Sequence, residues 1–89
     1  MTNTASGDYS YAHGNNGCNA TGDYSYARGI YTNNATGNYS IAIGCYGNYS
    51  NGNHSFAQGN SSNQASGDFS LAKGQYSNLA IGKYSIAIG

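Results

Sequence analysis

A period of 15 residues runs through the whole chain, and it constrains the fold more than any other feature. When the repeat is numbered from Ala5, positions 3 and 10 are always Gly, position 6 is always Ser and position 8 is always Ala. Self-similarity at a short fixed period is typical of solenoids, in which each repeat stacks on its neighbours. We therefore expect six repeats, starting at residues 5, 20, 35, 50, 65 and 80, as one solenoid domain over residues 5–89, with residues 1–4 as a lead-in.

The composition excludes several classes of protein. With 38% hydrophobic residues, the chain of 89 residues is too small and too poor in large apolar side chains for a conventional globular core. Three Lys and Arg residues and a net charge of zero leave no basic surface for nucleic acid. No apolar run approaches a membrane span, and Met1 leads directly into the first repeat, so we expect no signal peptide.

Each repeat contains a shorter rhythm, because Ala-x-Gly occurs twice, at spacings of seven and then eight residues. Two half-repeats predict a coil with two short strands, each ending at a glycine corner where a positive φ is free of steric cost. A helix is disfavoured by the frequent Gly and by the aromatic, β-branched and Asn residues between them. The predicted fold is all-β: a parallel β-roll of six coils, with two short strands per coil.

Side-chain alternation assigns the two faces of the first strand. Positions 6 and 8 are small throughout and are predicted to line the interior of the roll. These residues are Ser10, Ala12, Ser25, Ala27, Ser40, Ala42, Ser55, Ala57, Ser70, Ala72, Ser85 and Ala87.

Positions 5 and 7 then point outward and are predicted to form two neighbouring apolar ladders. They are Tyr9, Tyr11, Tyr24, Tyr26, Tyr39, Ile41, His54, Phe56, Phe69, Leu71, Tyr84 and Ile86. Such a strip exceeds the apolar patch that a soluble monomer usually exposes. Packing against identical chains in cyclic symmetry covers it, so we interpret these twelve residues as the interface of a homo-oligomer.

The second strand has a polar outer face. Its inward positions are Ala at position 1 and Asn at position 14, where Cys18 replaces Asn in the first repeat. Stacked Asn side chains can hydrogen-bond along a ladder. Its outward positions, such as Thr21 and Asn51, suit contact with water.

The segments Tyr39-Ser-Ile-Ala-Ile-Gly44 and Ala80-Ile-Gly-Lys-Tyr-Ser-Ile-Ala-Ile-Gly89 resemble the head repeats of trimeric autotransporter adhesins, the YadA-type head. The resemblance covers residues 5–89; the family's usual repeat is one residue shorter. It implies a left-handed parallel β-roll that packs as a homotrimer and presents an adhesive surface. Similar repeats occur in phage and virus appendage proteins, so the expected location is a bacterial surface or a virus particle. Because we expect no signal peptide, we also expect either an excised segment or a virion protein made in a cytoplasm.

Residue types that often bind metals or act in catalysis are expected to have structural roles in this chain. His13 and His54 occupy different repeat positions about three coils apart, so they cannot share a metal within one chain. Cys18 and Cys45 are separated by roughly 9 Å along the axis, too far for an easy disulfide, and we expect free thiols. Position 4, with Asp8, is expected to be a turn residue that bonds its own backbone rather than a calcium ligand. We predict no catalytic, cofactor or metal site, and therefore no enzyme.

Three tyrosines at position 12, beyond the second glycine, are the best candidates for exposed ligand contacts: Tyr31, Tyr46 and Tyr76. They share a partial column with Asn16 and Ser61. The leading hypothesis is a non-enzymatic trimeric head or host-attachment module that binds itself and a host protein or glycan. A rigid spacer within a fibre and an ice-binding solenoid are the alternatives.

Overall fold

The computed structural model describes residues 3–15 and 17–89, and within them the chain folds into twelve strands and no helix. The strands form two six-stranded parallel sheets in which each strand pairs with the strand one repeat away. The short-strand sheet contains β1 (Thr4–Ala5), β3 (Asn19–Ala20), β5 (Asn34–Ala35), β7 (Tyr49–Ser50), β9 (Gln64–Ala65) and β11 (Leu79–Ala80). The long-strand sheet contains β2 (Tyr11–Gly14), β4 (Tyr26–Gly29), β6 (Ile41–Tyr46), β8 (Phe56–Ser61), β10 (Leu71–Tyr76) and β12 (Ile86–Ile88).

The register is the sequence period itself. Ala42 pairs with Ala27 on one side and with Ala57 on the other, and Asn34 pairs with Asn19. Every column of the repeat is therefore a row of neighbours along the roll. The predicted all-β solenoid of six coils, with two strands per coil, is confirmed.

The roll is thin, with Cα extents of 29 × 24 × 10 Å, because only small side chains lie between its sheets. In the central coils the Ser at position 6 and the Ala at position 8 are buried, whereas Ser10, Ala12, Ser85 and Ala87 in the terminal coils are half-buried. Each position-6 hydroxyl from Ser10 to Ser70 donates to the carbonyl of the Gly three residues earlier, as Ser25 Oγ does to Gly22 at 2.6 Å. The position-6 Ser side chains therefore fill the interior and also stabilise the turn that begins at the position-3 Gly.

The expected asparagine ladder is confirmed inside the roll. Asn33, Asn48 and Asn63 are fully buried. Asn48 Nδ2 donates to Asn33 Oδ1 and to the Gly59 carbonyl, both at 2.9 Å. The same two bonds recur one coil later at Asn63. Because a buried amide is costly unless its donors and acceptors are paired, the column ties consecutive coils together.

The reason for glycine at position 3 differs from the sequence expectation. Gly22 and Gly37 are not among the residues with positive φ. Instead, a Cβ on Gly22 would overlap the backbone carbonyl of Gly37, and the same overlap recurs from coil to coil. Close backbone approach, not a left-handed conformation, selects glycine there; at position 10 the expectation holds, with φ of 143° at Gly29 and 151° at Gly44.

Position 5 does not belong to a strand, contrary to the alternation argument. Tyr24, Tyr39 and the other position-5 residues adopt φ between 56° and 59°, in the turn before the long strand. A left-handed conformation is uncommon for a non-glycine residue, so the surrounding structure must hold it. The Tyr24 N–H donates to the Asp8 carbonyl at 2.7 Å, and the Tyr39 N–H to the Asp23 carbonyl at 2.8 Å, which fixes each turn to the previous coil.

Position 4 also differs from the expectation that its side chain bonds its own backbone. Asp23 Oδ1 accepts the N–H of Asp8 at 3.0 Å, and Asn38 Oδ1 accepts the N–H of Asp23 at 2.9 Å. Each of these side chains therefore bridges to the equivalent residue of the neighbouring coil. Position 4 contributes to the stacking of coils rather than to a single turn.

Candidate functional site

One outer edge of the roll carries a continuous column of stacked rings, which we call the aromatic ladder. It consists of the position-5 residues Tyr9, Tyr24, Tyr39, His54, Phe69 and Tyr84. Consecutive ring centroids lie 4.8 to 5.2 Å apart, with planes within 11° of parallel. Stacking covers the ring faces and leaves the edges open, so Tyr24, Tyr39 and Phe69 remain about half exposed. His54 continues the stack and therefore belongs to this column.

The outer face of the long-strand sheet lies beside the aromatic ladder. Tyr11 stacks on Tyr26 at 5.0 Å, and Ile41, Phe56 and Leu71 continue the column of position 7 in strand register. Between this column and the aromatic ladder runs an open groove of about 540 Å³. Its lining includes His54, Phe56, Phe69, Leu71 and Ile86.

Position 9 shares this face, which the sequence interpretation did not include. Residues two apart in a strand project to the same side, so positions 7 and 9 lie together. Ile43 is half-buried, whereas Arg28 and Lys73 are exposed. The alternation that predicts the outward direction of position 7 predicts it for position 9 as well. The position was missed because its column combines charged, polar and apolar side chains. The column contains His13, Arg28, Ile43, Gln58, Lys73 and Ile88.

The position-12 tyrosines lie at a corner of the roll away from the aromatic ladder. Tyr46 and Tyr76 are the last residues of β6 and β10, and both pair with Ser61 at the end of β8. Tyr31 stacks on Tyr46 with ring centroids 4.9 Å apart. Tyr31 is 44% exposed, Tyr46 54% and Tyr76 70%. Asn16, the first residue of the column, lies outside the described residues.

The groups with potential reactivity are dispersed. Cys18 is buried and Cys45 half-buried, and both are free thiols. Cys18 takes the place of Asn in the interior column, where its Sγ donates to the Gly29 carbonyl at 3.5 Å. His13 stands next to Tyr11, with ring centroids 6.1 Å apart, whereas His54 lies within the aromatic ladder. Among residues 3–15 and 17–89, no three His, Cys, Asp or Glu side chains gather as a metal site would need.

Comparison with known families agrees with this architecture. The YadA head domain repeat matches the chain in two copies, with a matched range of residues 31–44, which ends on the Ser-Ile-Ala-Ile-Gly segment of residues 40–44. No curated protein and no solved structure matches the chain. The family match and the parallel solenoid together identify its repeats as YadA-type head repeats. In the part of the chain that the structure describes, no helix has the length and apolar character to cross a membrane.

Proposed function

We propose that this chain is a non-enzymatic head module of a trimeric adhesin, whose three copies pack through the long-strand face. The observation that carries the proposal is the open apolar side of the roll, with the position-7 column beside the aromatic ladder. A single roll has no second layer to cover this side, whereas a large exposed apolar surface usually marks an interface. The YadA head match supports threefold assembly, because heads of this family are trimeric.

The interface of the proposed trimer contains the twelve residues of positions 5 and 7, to which the fold adds position 9. Parallel chains in register would bring equal coils of the three copies together, as cyclic symmetry requires. Ile43 and Ile88 extend the apolar surface, whereas Arg28 and Lys73 need access to water or counterions at its margin. The short-strand sheet, with exposed Thr21, Thr36 and Asn51, would face water or a host molecule.

The proposed location is a bacterial surface, in keeping with the family of the matched repeat. The exposed columns, including the position-12 tyrosines, are the surface with which the head would attach. The alternative function is a rigid spacer, which would form a trimer but would not bind cells.

Mass and attachment measured on the same sample test the proposal. We expect light scattering to give about 27.6 kDa, three times the 9.2 kDa of one chain, at micromolar concentration. We also expect labelled protein to bind host cells saturably. A mass of one chain in dilute buffer would contradict the trimeric head, and a trimer without attachment to any cell type would leave the spacer.

A further inference from the structure

The position-12 column is interrupted at one coil, and the interruption leaves a gap between two tyrosine rings. Tyr46 and Tyr76 lie two coils apart, and Ser61 occupies the coil between them. At about 4.8 Å per strand, the backbones that carry these two tyrosines are about 9.6 Å apart. The contrast is with Tyr31 and Tyr46, which occupy adjacent coils and stack directly at 4.9 Å. We call Tyr46, Ser61 and Tyr76 the tyrosine slot.

The backbone holds the walls of the slot in register. Ladder pairing joins Tyr46 to Ser61 and Ser61 to Tyr76. Just beyond, the Ser62 N–H donates to the Tyr46 carbonyl and the Ser77 N–H to the Ser61 carbonyl, both at 2.8 Å. Ser62 and Ser77 have nearly equal φ, 55° and 53°, so successive coils turn this corner in the same way. The backbone spacing between Tyr46 and Tyr76 is therefore a property of the fold.

The exposure of the two tyrosines matches an open slot. Tyr46 is covered on one side by Tyr31 and is 54% exposed, whereas Tyr76 is 70% exposed. Ser61 between them is half-buried at the floor. Tyr46 stacks on Tyr31 with one ring face and leaves the other toward the Ser61 coil, and Tyr76 follows Ser61 in strand register on the far side.

The surroundings of the slot are polar and uncharged. Asn60 and Ser62 flank the floor residue, and Gln75 and Ser77 flank Tyr76; all four are exposed. Segments 44–48, 59–63 and 74–78 contain no charged residue, and the nearest charge in sequence is the exposed Lys73, three residues before Tyr76. A ligand for this site must therefore combine an apolar ring with a neutral rim of hydroxyl groups, because specific sites join an apolar surface to a few convergent polar groups.

We propose that the tyrosine slot binds the pyranose ring of a neutral glycan, with the C–H faces of the sugar against Tyr46 and Tyr76. The hydroxyl rim meets the amides of Asn60 and Gln75 and the hydroxyls of Ser61, Ser62 and Ser77. The puckered sugar ring is thicker than a flat aromatic guest, and its hydroxyls use polar groups that an apolar guest would leave unpaired. This inference rests on the proposed attachment function and names the class of ligand for it.

Binding of methyl pyranosides tests the slot directly. The probes are the methyl glycosides of glucose, galactose, mannose and N-acetylglucosamine, titrated into the full chain and followed by saturation-transfer NMR. A single small sugar against two tyrosines should bind with a Kd of about 1–10 mM. We expect saturation transfer to the ring C–H protons of at least one glycoside, and no transfer to any of them would overturn the proposal.

Two variants of the floor residue provide matched controls. Ser61→Tyr completes the tyrosine column with a ring that stacks as Tyr31 does on Tyr46, so the fold should keep its melting temperature while glycoside binding falls at least tenfold. Ser61→Ala leaves the slot open but removes one hydroxyl contact, so it should weaken binding about two- to fivefold, clearly less than Ser61→Tyr. Tyr76→Ala removes one wall and should weaken binding at least tenfold. Unchanged binding in Ser61→Tyr would overturn the slot, as would p-cresol binding there in preference to every glycoside.

The same samples separate this inference from the proposed function. Light-scattering mass and cell attachment report on the trimeric head independently of glycoside binding. A trimer that attaches to cells but binds no glycoside contradicts the slot alone. Loss of both the trimer and attachment contradicts the proposed function.

Discussion

Single residues in this fold are selected by their distance to the next coil. At position 3, an added Cβ on Gly37 would overlap the backbone carbonyl of Gly52, and the Gly37 backbone is tied to the next coil by its N–H bond to the Ser50 carbonyl at 3.3 Å. At Gly47 the situation is opposite: φ is 59°, but the nearest atoms to an added Cβ belong to the Tyr49 ring at 3.5 Å. Ser62 and Ser77 occupy the equivalent corner in later coils, so a side chain is accepted there.

We therefore expect Gly37→Ala to destabilise the fold far more than Gly47→Ser. Overpacking against fixed backbone should cost about 3 kcal/mol in Gly37→Ala, which lowers the melting temperature by roughly 10 °C or more. Gly47→Ser should stay within about 1 kcal/mol, because the strain of a positive φ is partly offset by a stiffer unfolded chain. Thermal denaturation followed by circular dichroism measures both. Equal losses in the two variants would show that conformation, rather than contact, selects these glycines.

The sequence predicts which residues stack in each column, but it does not predict the backbone conformation of those residues. Stacking places equal repeat positions side by side, so the ladders of Tyr39 and Asn48 could be predicted from the period. The left-handed conformation at Tyr39 could not, because alternation presumes an extended chain and an aromatic residue gives no hint of a positive φ. The bridge from Asn38 to Asp23 was missed for a related reason: only the fold shows that the neighbouring coil, rather than the residue's own turn, offers the nearest N–H.

At the scale of elements, the interior is held by a polar column rather than by large apolar side chains. Asn48 makes hydrogen bonds to Asn33, Gly59 and Asn63, and Asn63 repeats the arrangement one coil later with Asn48, Gly74 and Asn78. Cys18 replaces Asn in the first coil and keeps part of its hydrogen bonding. Its Sγ donates to the Gly29 carbonyl and accepts from Asn33 Nδ2 at 3.8 Å. The buried amide is thus the connection between the two sheets and between successive coils.

Asn48→Ala should cost about 3 kcal/mol in the free energy of unfolding, since buried partners in three residues lose their bonds. Asn48→Cys should lose clearly less, because the chain itself accepts Cys at this column. Urea denaturation of the two variants beside the wild type measures the difference. If Cys were as damaging as Ala, the hydrogen bonds of the column would contribute little, and side-chain volume would govern this site.

The number of coils and strands was predictable, but the strand lengths were not. β6, β8 and β10 run six residues and extend past the second glycine, whereas β4 ends at Gly29. At the corner that follows, Gly47, Ser62 and Ser77 adopt φ between 53° and 59°. Thr32, in the same place of the second coil, has φ of 38°, and a β-branched residue resists this conformation. β2 also ends at its second glycine although Gly17 occupies this corner with φ of 68°, so strand length differs between coils in a way that the repeat pattern does not predict.

At the scale of the whole molecule, the two sheets differ in what their outer faces can contact. The long-strand sheet presents half-buried Tyr26, Ile41, Phe56 and Leu71 beside the aromatic ladder. The short-strand side is polar except in the last coil, where Leu79 and Ile81 are exposed. This asymmetry was visible in the sequence because strand alternation separates the columns. The position-12 column was visible as well, but the slot was not, because the period does not show that β6, β8 and β10 extend to this position and hold Tyr46 and Tyr76 in strand register across Ser61.

Phe56→Asp should dissociate the proposed trimer while Asn51→Asp should not. Phe56 lies at the centre of the long-strand face, in the groove beside the aromatic ladder, so assembly would bury three carboxylates close together. An uncompensated buried charge costs several kcal/mol, so the dissociation constant should rise at least ~100-fold. Asn51 is exposed on the other sheet and accepts a bond from Thr36 Oγ1 at 2.7 Å, which an Asp oxygen can keep. Sedimentation velocity over a concentration series reports the masses of both variants. A trimer that survives Phe56→Asp would place the interface elsewhere, and equal dissociation in Asn51→Asp would show that added charge anywhere on the roll is sufficient.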